Sequence, residues 1–170
     1  MLYLLDTNVL ITAHNQYYPV DVVPEFWTFL VYKAAAGVLK MPIETFEEVR
    51  GGGTDTTKDL LYGWLSQRTV RDAILLDEDV DPVHVRSAID IGYAPDLTDD
   101  ELEQIGQDPF LIAHAMASPH DRCVVTTEVS SPAKRRQNRR VPDVCKTLGV
   151  PCCDTFAMLR RLQFSTGWDR

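Results

Sequence analysis

Apolar residues along this chain come in short blocks, and the period of the blocks changes repeatedly. Leu2-Tyr3-Leu4-Leu5 is a continuous apolar run cut off by Asp6. A run of that length bounded by polar residues predicts a fully buried strand. Cys123-Val124-Val125-Thr126-Thr127 is a second such run and ends at Glu128. Shorter candidates lie at 38–41 and 150–153, and 73–76 is apolar but ambiguous. Helical spacing fills the intervals. Residues 8–14 allow one or two turns before a loop at 15–23. Pro24 opens a helix to about residue 36, with Phe26, Trp27, Leu30 and Val31 on its apolar face and Gly37 as its stop. A helix over 42–50 buries Ile43, Phe46 and Val49 and ends at Gly51-Gly52-Gly53.

Further helices are expected over 57–68, over 82–93 behind Asp81-Pro82, and over 99–105 behind the capping box Thr98-Asp99-Asp100-Glu101. Asp108-Pro109 opens the next helix, which is apolar nearly all round from Phe110 to Ala117 and must be deeply buried. A helix over 142–148 stops at Gly149, and Asp154 caps a last one to about residue 162. Strands alternating with helices predict an α/β fold with a central parallel sheet. The whole chain, 1–170, reads as a single domain. Its long helical middle, roughly 54–105, contains no clear strand and reads as an insert or lid on one side.

Strand ends are where chemistry is expected. In open parallel sheets, ligands sit beyond the carboxyl ends of the strands. Asp6 stands at such an end, and so does Glu128. Asp108 begins the buried helix, which draws its carboxylate toward the core, whereas Asp81 opens a helix that carries His84, Arg86 and Asp90. Glu48 lies in the helix after the second strand; Glu44 and Glu47 compete with it for the same role. Several carboxylates in one cleft repel and raise one another's pKa unless a cation neutralises them. Magnesium suits such a set, since it takes hard oxygen ligands and keeps waters for a phosphate substrate.

Composition sharpens this in two ways. The chain carries a net charge of −8, which argues against a general nucleic-acid binder. Yet Lys134, Arg135, Arg136, Arg139 and Arg140 crowd one loop just after Glu128, where they could contact phosphates. The four cysteines, Cys123, Cys145, Cys152 and Cys153, match no zinc spacing and read as reduced, mostly buried thiols. His114, on the buried helix, reads as a satisfied core residue. No apolar run is long enough to span a bilayer, and no basic leader precedes Asp6, so a cytoplasmic protein is expected. The glycine triplet follows a helix and is not a phosphate-binding loop: Lys58 precedes Asp59, not Ser or Thr.

Taken together, these segments resemble the PIN-domain family. Tyr3-Leu4-Leu5-Asp6-Thr7-Asn8-Val9-Leu10-Ile11 is similar to its opening, Glu48-Val49 to its second acid, Asp108-Pro109-Phe110-Leu111-Ile112-Ala113-His114-Ala115 to its third, and Val124-Val125-Thr126-Thr127-Glu128 to its fourth. Pro142-Asp143-Val144-Cys145, after a basic loop, resembles one bacterial and archaeal branch of that superfamily. The resemblance implies a three-layer α/β/α sandwich and a ribonuclease dependent on Mg²⁺ or Mn²⁺. It further implies a homodimeric toxin held by a small antitoxin protein. Asp6, Glu48 and Asp108 would hold the metal and Glu128 would complete the acidic site. Asn8, Thr126 and Thr127 would orient carboxylates or water, and the basic loop would contact RNA. Glu128 departs from the family's commoner Asp, and the middle insert is longer than in compact members. A PIN-fold binding module without cleavage is the alternative. A haloacid-dehalogenase-type phosphotransferase fits poorly, because its motif needs a second Asp where Asn8 stands.

Overall fold

The computed structural model describes residues 1–51 and 59–169. Four parallel strands form its centre: β1 (Leu2–Leu5), β2 (Leu39–Lys40), β3 (Arg122–Val125) and β4 (Cys152–Cys153), in the order β2-β1-β3-β4. β1 and β3 are central and apolar, as strands covered on both faces must be. They pair over their whole length, from Leu2 opposite Arg122 to Leu5 opposite Val125. Asp6 and Thr126 therefore emerge side by side at the carboxyl edge.

Helices cover both faces, which makes the molecule a three-layer α/β/α sandwich. Alternation along β1 and β3 sorts the two cores. Tyr3, Leu5, Cys123 and Val125 face α1 (Thr7–Thr12), α2 (Pro24–Ala35) and α10 (Thr155–Arg161). Leu4 and Val124 face α8 (Asp108–Met116) and α9 (Val141–Leu148). α3 (Ile43–Gly51) follows β2 and packs against α1 and α8.

The insert does not sit on one side as expected. Its first helices, α4 (Leu60–Leu65) and α5 (Arg68–Ile74), bury Leu61, Trp64, Leu65, Val70 and Ile74 in the first core. Its later part, α6 (Pro82–Ser87), a π-helical turn at Ala88–Tyr93 and α7 (Asp99–Ile105), buries Ala88, Tyr93 and Ile105 in the second. The chain crosses between the two layers at Leu75, which bridges Met41 in parallel. The ambiguous stretch at 73–76 thus ends α5 with Ala73 and Ile74 and adds Leu75 to the sheet as a single bridge.

Other boundaries moved modestly. The segment after α1 widens into a π-helical turn, Ala13–Tyr17, which takes up the start of the loop expected at 15–23. The helix expected over 57–68 runs from Leu60, behind an Asp59 cap that accepts the Tyr62 amide, to Leu65; residues 57 and 58 lie outside the described residues. α5 follows it where no helix was expected, and the glycine triplet lies partly outside the described residues as well. The capping box at Thr98 forms as expected, with Thr98 and Glu101 satisfying each other's backbone amides. Asp154 caps α10 through the Ala157 amide. Among the described residues, no helix is long and apolar enough to cross a membrane.

Candidate acidic site at the strand edge

Asp6 is 4% exposed, at the carboxyl end of β1. Its Oδ2 accepts a hydrogen bond from the Thr126 hydroxyl at 2.6 Å and another from the Asn8 amide. Asn8 also donates to Thr126 Oγ1 at 3.0 Å, while its own Oδ1 accepts the Thr127 backbone amide at 2.8 Å. The D-T-N turn thereby clasps the end of β3. Burial is the largest influence on Asp6 and raises its pKa to about 6; the Thr126 and Asn8 bonds oppose it, and Glu128 and Glu48 add repulsion.

Asp108 is partly buried at the start of α8. It does not cap that helix, whereas Asp81 caps α6 through the Val83 amide. Its Oδ2 instead accepts the Tyr93 hydroxyl at 3.2 Å. Burial raises its pKa to about 8, followed by repulsion from Asp6, Glu128 and, more weakly, Glu48. Burial and the neighbouring Asp108 charge likewise push the Tyr93 phenol well above its usual range. Tyr93 was not singled out from sequence; its only signal there was an aromatic just before a loop.

Glu48 is exposed on α3. Its Oε2 accepts the Thr7 hydroxyl at 2.5 Å, and Thr7 also reaches the Thr45 carbonyl at 3.2 Å. Of the three glutamates on α3, Glu48 is the one tied to the Asp6-Thr7-Asn8 turn. Glu44 lies deeper, 3.4 Å from His114 Nε2, in a contact too poorly aimed to be a hydrogen bond. Burial lowers the His114 pKa, so this contact is not a strong ion pair. His114 is 2% exposed, and among the described residues its Nε2 has no well-aimed hydrogen-bond partner. It is a core residue, but not the satisfied one that was expected.

Glu128 points toward the same cleft, yet its carboxylate is engaged. Oε1 accepts from Arg140 at 2.7 Å, and Oε2 accepts the first amide of α9, that of Val141, at 2.7 Å. A carboxylate there satisfies an orphan helix amide and the dipole at once. The basic loop is correspondingly less free than its composition implies. Arg136 binds Asp96 and Glu101, Arg139 binds the carbonyls of Gly92 and Asp143, and Arg135 folds back onto the Pro132 carbonyl. Arg136 in turn holds Glu101 down to about 2. Asp143, buried in α9, accepts from the Ser130 hydroxyl and the Ser131 amide and so fixes the start of that loop.

The four acids thus share one electrostatic neighbourhood, with Asp6 and Asp108 at its centre. Among the described residues, no three Asp, Glu, His or Cys side chains are placed to grip one ion directly. The donor set nonetheless fits a hard divalent cation that keeps part of its water shell: buried carboxylate oxygens repel one another, and among the described residues no cationic side chain bonds Asp6 or Asp108. Such a site can bind a polyvalent oxyanion through a cation or hold one carboxyl protonated near neutral pH.

Comparison with curated proteins and with solved structures returns no match. One family model, described as a domain of unknown function (DUF4411), matches residues 3–166, a span that takes in β1 from Tyr3 onward, the other three strands and all four acids. The chain belongs to the DUF4411 family.

Proposed function

We propose that the protein is a divalent-metal-dependent endoribonuclease with the PIN-like arrangement its sequence resembles, acting as the toxin of a toxin–antitoxin pair. The observation that carries this reading is the burial of Asp6 and Asp108 at the acidic edge of the sheet, which raises both carboxyls; Asp6 raises Asp108 further, and Glu128 and Glu48 add repulsion to both. Asp6, Glu48 and Asp108 would hold Mg²⁺ or Mn²⁺, with Glu128 acting through water, and the ion would supply Lewis acidity and an activated water for in-line phosphodiester hydrolysis. Thr126 and Asn8 fix the Asp6 carboxylate, Thr7 restrains Glu48, and Tyr93 orients Asp108. Arg136 and Arg140 are paired with acids and Arg139 is tied to the Gly92 and Asp143 carbonyls and the Thr147 hydroxyl, so Lys134 and Arg135 are the first candidates for contact with the RNA backbone. A protein antitoxin and a homodimer belong to this reading; the exposed Val83 and Ile91 on the α6 layer offer apolar surface for either. A cytoplasmic location belongs to it too.

A specific observation favours the second reading, a binding module without cleavage. Glu128 is occupied by Arg140 and Val141, and direct three-ligand chelation is not preformed among the described residues. One experiment separates the two. Pure protein and Asp6→Asn are incubated with single-stranded RNA, with Mg²⁺ or Mn²⁺ and with chelator. Metal-dependent cleavage lost in the variant is the expected result. Equal cleavage by both overturns the nuclease reading, and retained RNA or partner binding without any cleavage selects the module.

A further inference from the structure

The four cysteines, which the acidic site does not use, fall into two pairs on opposite faces of β4. Cys153 lies beside Val125 in the ladder and shares its face with Cys123, whose sulfur is 3.6 Å away. Cys152 faces the other core, where its thiol meets Cys145 of α9. The pairs differ chemically. Contact with Cys152, then burial, pushes the Cys145 thiol well above its usual range. In the other pair the sulfur–sulfur contact acts on the two thiols in opposite directions: it holds Cys123 below its usual range against burial, and with burial it pushes Cys153 above its own, so the thiolate of the pair rests on Cys123, while the Arg161 guanidinium favours ionisation of both. Arg161 projects from the last turn of α10 and also bonds Tyr3. A thiol pair beside a fixed cation is the environment in which thiolates form and react.

We propose that Cys123 and Cys153 are a redox-active dithiol, which a hydroperoxide oxidises to a disulfide joining the edge strand β4 to β3. Cys153 is half-buried and Cys123 is 2% exposed, so peroxide meets Cys153 first. The Cys153 sulfur, ionised as its proton passes along the sulfur–sulfur contact, attacks one peroxide oxygen. An S–O bond forms, the O–O bond breaks, and the departing hydroxide leaves as water with the proton lost from the pair. Cys123 then attacks the sulfenic sulfur. The S–S bond forms, the S–O bond breaks, and the second hydroxide leaves as water with the remaining thiol proton. Two thiols and one hydrogen peroxide give one disulfide and two waters. The sulfurs lose two electrons and the peroxide gains them.

Closing the pair from 3.6 Å to a bond of about 2 Å requires the strands to move. Cys123 and Cys153 are diagonal across the ladder, because Val124 pairs with Cys152 and Val125 with Cys153. β4 is a two-residue strand at the sheet edge, so it is the element free to shift. Its Cys153 carbonyl accepts the Thr126 amide at 3.2 Å, and the Thr126 hydroxyl is the donor that holds Asp6. Oxidation therefore acts one hydrogen bond away from the acidic site. That last consequence rests on the reading of the acids as a functional site, whereas formation of the bond does not.

The test treats the full-length native protein with hydrogen peroxide, alkylates the remaining thiols with N-ethylmaleimide after unfolding, and maps unreduced peptides by mass spectrometry. Two of the four thiols should disappear, with a mass loss of about 2 Da and a peptide linking Cys123 to Cys153. Dithiothreitol should restore both thiols. Arg161→Gln should slow the reaction several-fold. Cys152→Ser should leave the link intact, which shows that β4 tolerates serine, whereas Cys153→Ser should abolish it. Survival of all four thiols overturns the proposal. So does Cys153 ending as a sulfinic acid without a link, or a link between Cys145 and Cys152 in place of the expected one. RNA cleavage measured on the reduced protein is a separate readout: a Cys123–Cys153 link in a protein that cuts no RNA supports the dithiol and removes the nuclease.

Discussion

Arg140 and Glu128 form an ion pair at 2.7 Å at the point where the basic loop turns into α9. Both residues are partly buried, and the second Glu128 oxygen holds the Val141 amide. One carboxylate therefore ends the loop, starts the helix and closes one wall of the acidic cleft. Its structural duties compete with service as a direct metal ligand. Glutamine can keep the hydrogen bond to Val141 while losing the charge. On the proposed nuclease reading, Glu128→Gln should therefore lower RNA cleavage by only about tenfold, as outer-shell changes do, whereas Asp6→Asn should cost more than about a hundredfold. Initial rates with saturating Mg²⁺ compare the two. A Glu128→Gln loss as large as that of Asp6→Asn would make Glu128 a direct ligand and the Arg140 pair a resting-state lock.

Thr126 is the hinge of the clasp: buried, donating to Asp6, and accepting from Asn8 and from the Glu128 amide. Thr126→Ala removes all three partners from groups that cannot reach water freely. It should destabilise the protein by about 1–3 kcal/mol, the cost of leaving buried polar groups unpaired. Thr126→Ser keeps the hydroxyl and should restore most of this. Urea unfolding of the three proteins measures it, and an alanine variant as stable as the serine one would mean that the clasp contributes nothing.

The raised carboxyls give the metal-free protein a defined pH response. Asp6 and Asp108 bind protons more tightly folded than unfolded. Their stabilisation is complete below the usual carboxylate range and is lost as pH rises through about 6 for Asp6 and about 8 for Asp108. In chelator, the melting temperature should therefore fall between pH 5 and pH 9 through this pair, and Asp108→Asn should flatten the upper part of that fall. Mg²⁺ added at high pH should raise the melting temperature with the logarithm of its concentration, because it binds the folded ionised site. A magnesium shift of equal size in Asp6→Asn/Asp108→Asn would assign the effect to the surface and not to the site.

How far the chain revealed these arrangements depended on distance in sequence. β1 and β3 were legible because each is an uninterrupted apolar run, and Asp6 and Glu128 were legible because each ends one. α5 was not. Its buried stripe is only Val70 and Ile74, and the Arg68–Asp72 pair that supports it is exposed and looks like loop composition. The basic loop was read as free because its neutralising acids, Asp96 and Glu101, lie far back in the insert. Tyr93 was invisible for the same reason, since nothing local says that a residue before a loop will meet the first residue of α8. The sequence suggests an insert or lid on one side because helical periods tell which face is apolar but not which layer it joins.

Gly92 shows how the insert supports the site it adjoins. It lies in the π-helical turn immediately before Tyr93, and a Cβ there would stand 2.6 Å from Val144 Cγ1 and 3.2 Å from Leu148 Cδ1. The turn thus touches α9 so closely that only glycine fits, and the Gly92 carbonyl also accepts from Arg139. Because α9 begins at the Glu128 cap, this contact links the Tyr93–Asp108 wall of the cleft to the Glu128 wall. Gly92→Ala must push α9 and the turn apart. Overpacking of this kind costs about 1–3 kcal/mol. The shift should also carry the Tyr93 hydroxyl away from Asp108, so the variant should lose magnesium-induced stabilisation beyond what its lower melting temperature explains. Tyr93→Phe provides the comparison, since it removes the same hydroxyl without the clash. If Gly92→Ala melts lower but takes up magnesium as wild type does, while Tyr93→Phe does not, the turn contributes packing alone and Tyr93 is positioned by α8 itself.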